Sequence, residues 1–136
     1  MKEKSIIKAL SVTVFLYLPL YFLSVSALKD IYLYEWTARR LYCGIWVFAI
    51  LLIAYEHTIL SHVISVGNLF GIVFGQSIGD QIIVMQMNRI SENSSPEEIY
   101  YAQQHYGAFI WGGILLFSIM AGIWFEKKEW QKVDQL

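Results

Sequence analysis

Two groups of polar side chains interrupt the apolar stretches of this sequence, and each points to its own chemistry. Glu56, His57 and His62 form the first. Carboxylate and imidazole are transition-metal ligands, and two axial histidines would hold haem. The interval between the histidines is awkward on one straight helix, so such a site needs a turn between them. Interface-facing polar residues are the simpler assignment, and no cofactor is predicted. His105 belongs at the opposite membrane face in the topology below and cannot complete a site with the other two. Ser61 stands beside His62 without a positioned acid. The chain has no phosphate loop, no HExxH, no CxxC and no nucleophile elbow, so enzymatic chemistry is not indicated.

Asn68, Gln76 and Asp80 form the second group. Their spacing keeps them on one side of a helix. Amides inside a membrane act as polar glue, at roughly 0.6 kcal/mol per interhelical hydrogen bond, or they mark a substrate or ion path. A single polar strip in a chain this small lines a pore only in an oligomer or with a partner. Asp80 costs about 2.5–3.5 kcal/mol at a helix centre and far less at a helix end. Arg39 and Arg40 fall on the same side in the expected topology, so an ion pair from Asp80 to one of them is anticipated.

Immediately beside these residues runs "GNLFGIVFGQSIGD", with Gly67, Gly71, Gly75 and Gly79 at every fourth place. That spacing makes a slowly drifting stripe, with the polar residues on one bank and Phe70, Phe74, Ile78 and Ile82 on the other. Helices in lipid associate by close packing, and small residues let backbones approach. The stripe therefore reads as a groove that admits a neighbouring helix, from this chain or from a partner. Ala108, Gly112, Gly113, Ser118, Ala121 and Gly122 make the fourth apolar stretch a candidate complement.

The elements that carry these residues are membrane helices. Hydrophobic residues make up 57% of the 136 positions and charged residues 15%, far fewer charges than a soluble domain carries. Apolar stretches near 6–28, 41–60, 63–84 and 107–125 approach the roughly 17–25 residues that span a bilayer. The expectation is one all-α domain over 1–136: an integral membrane four-helix bundle, with a short interfacial helix before the last span. "MKEKSIIK", an apolar run and "VSA" resemble a secretory signal. The run is long and holds Pro19, so a retained first span is expected, kinked at the proline. A tight hairpin near Ser61 should join spans 2 and 3. The segment 29–42 mixes charge with Tyr32, Tyr34, Trp36 and Tyr42, as in an aromatic belt at headgroup depth. Ser95-Pro96-Glu97-Glu98 is a helix start: a capping hydroxyl, a proline at the first position, and acids at the positive end of the dipole.

Lys2, Lys4, Lys8, Lys127, Lys128 and Lys132 flank the two ends of the chain, against Lys29, Arg39, Arg40 and Arg89 in the other loops. This balance favours both termini in the cytoplasm of a cell (plasma or inner) membrane. A net charge of −1 gives no reason to expect nucleic acid. The lone Cys43 permits no internal disulfide and reads as a small apolar residue. Three functions follow as expectations. The first is an accessory or regulatory subunit that binds another membrane protein, or itself, through the glycine groove. The second is a small oligomeric channel or transporter along Asn68, Gln76 and Asp80. The third is a haem- or metal-binding redox subunit.

Overall fold

The computed structural model describes residues 2–133, and every element in it is helical: α1 (Lys2–Val25), α2 (Tyr32–Arg40), α3 (Tyr42–Ala54), α4 (Thr58–Met87), α5 (Pro96–Ala102) and α6 (Gly107–Val133). The side chains of Lys2 and Lys132, which enter the charge balance, lie outside the described residues. Three helices are long and apolar enough to cross a membrane. The pair α2–α3 meets the same test jointly and is bent by 58° where they join. Large apolar side chains such as Phe15, Phe109, Phe117 and Met120 face outward, as lipid-facing surfaces do.

Ring contacts fix the directions. Tyr21 meets Tyr42, and Tyr17 stacks on Trp46 at 5.9 Å, so α1 and α3 run antiparallel. Gly67 lies against Ser118 and Gly79 against His105, so α4 and α6 also run antiparallel. The start of α1, the end of α3, the start of α4 and the end of α6 therefore share one end of the molecule, and both described chain ends lie there. Tyr17, Leu33, Tyr42, Ala49, Ile72 and Trp111 form the core, drawn from α1, α2, α3, α4 and α6.

Two boundaries differ from expectation. The hairpin between α3 and α4 turns at Tyr55–His57 and not near Ser61. Glu56 adopts a left-handed φ of 68°, its N–H donates to Ile53 O, and the His57 N–H donates to Leu52 O at 2.8 Å. This is a Schellman ending with glutamate where glycine is usual. Ser61 lies beyond the turn, buried in α4, and donates to the Ala49 carbonyl at 2.8 Å. Span 2 is correspondingly shorter than 41–60. The segment 29–42 is also more than an aromatic belt. Its helix α2 buries Leu33 and Thr37 completely against the rest of the molecule. α1 continues as helix through Pro19.

Helix α5 starts as the sequence implies. Ser95 Oγ accepts from the Glu98 N–H at 3.2 Å, and Glu98 Oε2 accepts from the Ser95 N–H at 2.8 Å, a complete capping box. Ser95→Ala should destabilise this helix by about 1 kcal/mol. Hydrogen exchange should then quicken at 97–102 while protection of α4 and α6 stays unchanged.

Candidate functional site

Helix α4 presents three faces, and the sequence spacing sets all three. Phe70, Phe74 and Ile78 point outward. The glycines meet α6. The polar bank runs inward, with Ser61, Ser65, Asn68 and Ile72 all fully buried.

The groove is filled by this chain's own α6. A Cβ placed on Gly75 would lie 2.7 Å from the Gly107 carbonyl oxygen, and one on Gly107 would lie 2.8 Å from the Gly75 oxygen. The two backbones thus meet directly. A Cβ on Gly71 would lie 2.9 Å from Trp111 Cδ1, Gly67 abuts the Ser118 side chain, and Gly79 abuts the His105 ring. Gly122 of α6 answers with the reciprocal arrangement, since a Cβ there would lie 2.6 Å from Leu60 Cδ1. Ser118 and Gly122 are thus parts of the expected complement. Gly112 and Gly113 have open space around them and belong to a different face. A partner helix could enter the Gly67–Gly79 groove only by displacing α6.

The pair anticipated between Asp80 and Arg39 or Arg40 is not the one formed. Arg39 binds Glu35 at 2.8 Å within α2, and the Arg40 guanidinium lies over Trp36, 5.6 Å from the ring centroid. Asp80 instead meets Gln76 and His105. The reason is local to α4: the missing side chain at Gly79 makes room for the His105 ring one residue before the carboxylate.

The hydrogen bonds in this cluster fix its proton positions. The Leu33 N–H opens α2 and has no acceptor within that helix. It donates to Gln76 Oε1 at 2.8 Å. That sets the amide's orientation, so Gln76 Nε2 donates to Asp80 Oδ1 at 2.8 Å. The Gly107 N–H donates to His105 Nδ1 at 3.0 Å. In the neutral ring the proton is then on Nε2, which donates to Asp80 Oδ1 at 3.2 Å. Gln76 Nε2 also lies 3.2 Å from His105 Nε2, but two donors face each other there. Tyr32 closes the cluster from α2, its ring centroid 4.4 Å from that of the imidazole. His105 is buried on this side, whereas the Asp80 side chain is 58% exposed. Asp80 lies two turns before the end of α4 at Met87, and a carboxylate near a helix end costs far less than one at the centre of a span.

Deeper in, Trp111 Nε1 donates to Asn68 Oδ1 at 3.0 Å. Ser65 donates to the Ser61 carbonyl at 2.7 Å. The Tyr17 hydroxyl faces Ser65 but stops short of a formed hydrogen bond, and Asn68 Nδ2 and Trp46 Nε1 are likewise buried without a protein partner. The Trp111–Asn68 bond should couple by about 0.6 kcal/mol and at most about 1.7. A double-mutant cycle with Asn68→Leu and Trp111→Phe, read by unfolding in mixed micelles, measures it.

The other polar group is divided. His57 Nδ1 lies 3.2 Å from Glu126 Oε2 of α6. His62 lines a groove with Gly67, Ser118 and Ala121 on the far side of the α4–α6 contact. Glu56 occupies the turn. Among the described residues, no three His, Cys, Asp or Glu side chains gather as a metal site. His105, Gly107, Trp111 and Glu126 were not singled out as site residues in the sequence. Gly107 carried a readable signal, being a glycine at the start of an apolar helix. No protein-family model matches this chain, and neither does any curated protein or solved structure.

Proposed function

We propose that this chain is a small proton-handling membrane transporter, in which Asp80 and His105 form the proton entrance and the polar bank of α4 forms the path. The observation that carries this reading is the Gln76–Asp80–His105 cluster at one mouth of a buried polar seam. From Ser61 to Asp80 the seam covers about 28 Å of helix, close to the roughly 30 Å of the hydrocarbon core. Along it Ser61, Ser65 and Asn68 are fully buried. Most of their groups are satisfied within the protein. The Tyr17 hydroxyl, Asn68 Nδ2 and the Trp46 N–H are not, and buried polar groups of this kind are the usual partners of buried water. Ile72 interrupts the seam between Asn68 and Gln76 and is completely buried. Its side chain offers a metal ion no ligand, whereas a proton needs only a transient file of water.

The same proposal includes four crossings, with α2–α3 counted as one broken span. In support, α1 ends and α4 begins at opposite ends of the molecule, so the intervening pair must traverse it. Lys4, Lys8, Lys127 and Lys128 cluster at the end that holds both described chain ends, which we assign to the cytoplasm. The partner-subunit reading lacks a comparable footing, because α6 occupies the groove it requires.

The test is flux. Purified protein in liposomes loaded with a pH-sensitive dye, under an imposed pH gradient and a potassium diffusion potential, should collapse the gradient faster than protein-free liposomes. Equal rates would dispose of the proposal.

A further inference from the structure

The end of the molecule opposite Asp80 holds a second pocket, independent of the polar seam. We propose that it binds the headgroup of an aminophospholipid, with the lipid ammonium on Glu126 and the lipid phosphate on Lys127. The pocket lies between the start of α4 and the end of α6. His57, Leu60, Ile123, Glu126, Lys127 and Trp130 line it, and its volume is about 450 Å³.

Glu126 is the unusual member. Its side chain is only 11% exposed, and among the described residues its one hydrogen-bond partner is the His57 ring. An ionised carboxylate offers acceptor sites on both oxygens, and a buried one is costly unless it is paired and hydrogen-bonded. Its neighbour Lys127 does not serve as the internal counterion, because adjacent residues on a helix do not face each other. Lys127 is exposed at the pocket rim instead. The pocket therefore presents a sheltered anion beside an exposed cation. A zwitterion with a hydrogen-bonding ammonium and a phosphate has the complementary order.

Position supplies the occupant. The pocket is at the depth where α6 leaves its apolar stretch, flanked by the exposed rings of Trp124 and Trp130, and such rings favour the headgroup layer. Leu60 and Ile123 form an apolar wall that continues towards the hydrocarbon and suits the glycerol and first methylenes of a lipid. A soluble zwitterion would have no use for that wall.

The experiment is native mass spectrometry of the full chain released from maltoside micelles. The micelles carry phosphatidylethanolamine, phosphatidylcholine or phosphatidylglycerol with identical acyl chains. The ethanolamine lipid should remain bound at least tenfold more than the choline lipid, whose quaternary ammonium donates no hydrogen bond. Glu126→Gln should abolish that preference, and Lys127→Ala should weaken retention of both. Equal retention of ethanolamine and choline lipids by the unmodified protein would overturn the assignment, and this comparison needs no variant to fold. A preference for phosphatidylglycerol would overturn it too, since phosphate alone would then be recognised. Persistence of the ethanolamine preference in a folded Glu126→Gln protein would remove Glu126 from the site.

Discussion

Gly75→Leu should eliminate the folded protein, whereas Gly112→Leu should leave it intact. Both replacements put the same side chain into the same kind of helix, and only the surroundings differ. At Gly75 even a methyl group meets the Gly107 carbonyl oxygen at 2.7 Å, Leu33 Cδ2 at 2.8 Å and the Trp111 nitrogen at 3.3 Å. Two of those three atoms are main chain and have no rotamer to change. The contact relaxes only if α4 and α6 move apart, which also opens the packing at Gly71 and Gly79. Overfilling a packed interior by a few methylenes costs about 1–3 kcal/mol where neighbours are able to adjust. Here they are not, so the loss should exceed that range. Gly112 has nothing within 4 Å, and leucine there adds one more lipid-facing side chain. The measurement is monodisperse recovery by size exclusion in mild detergent, followed by a thermal melt. Comparable recovery and melting for the two variants would mean that α6 does not sit against the glycine stripe. Gly75→Ala should fall between them, because alanine's better helix propensity, worth roughly 1 kcal/mol, offsets part of the clash.

The contrast between these glycines shows what a linear sequence reveals. A repeat of four keeps residues on one face whatever the neighbours do, so the stripe, its polar bank and its aromatic bank were all readable as geometry of a single helix. Which helix enters the stripe was not readable. Gly112 and Gly113 carry the same small-residue signal as Gly107 and Gly122, and only tertiary packing separates the pair that faces α4 from the pair that does not. Ser95 announced its helix because a capping box is local chemistry. The turn at Glu56 was hidden for the converse reason: a left-handed position marked by glycine is legible, and one held by glutamate is not. Helix α2 was obscured by its composition. Its buried residues, Leu33 and Thr37, make a stripe only one turn long among charges and rings.

The partner of Asp80 illustrates a different limit. Charge balance nominated Arg39 and Arg40, since an acid near a membrane boundary calls for a cation. The chain instead gives Asp80 neutral donors, the Gln76 amide and the Nε2–H of His105, the latter positioned by where α6 begins and by the space over Gly79. Arg39 is taken up by Glu35 one turn earlier in its own helix. Local pairs on a helix cost little chain ordering and compete well against distant ones. Sequence reasoning that pairs charges across helices needs first to exhaust the pairs available within each.

Asp80→Asn should lower proton flux in liposomes at least tenfold while the melting temperature changes by only a few degrees. Asparagine preserves the acceptor oxygen that receives the Gln76 and His105 hydrogen bonds, so the cluster keeps its shape. What it removes is the carboxylate that the proposed path requires. Gln76→Leu should behave differently. The Gln76 side chain satisfies the Leu33 N–H at 2.8 Å and holds Asp80 at 2.8 Å. Leucine leaves the buried Leu33 N–H without its acceptor, at a cost of about 1–3 kcal/mol, and frees the carboxylate from one of its two donors. Flux and stability should therefore fall together in Gln76→Leu, while flux alone falls in Asp80→Asn. If the cluster is only polar glue between α2, α4 and the start of α6, the asparagine variant keeps every hydrogen bond. It then matches the unmodified protein in both measurements. A transport role requires the two readouts to part company at Asp80, and an Asp80→Asn protein with undiminished flux would exclude it.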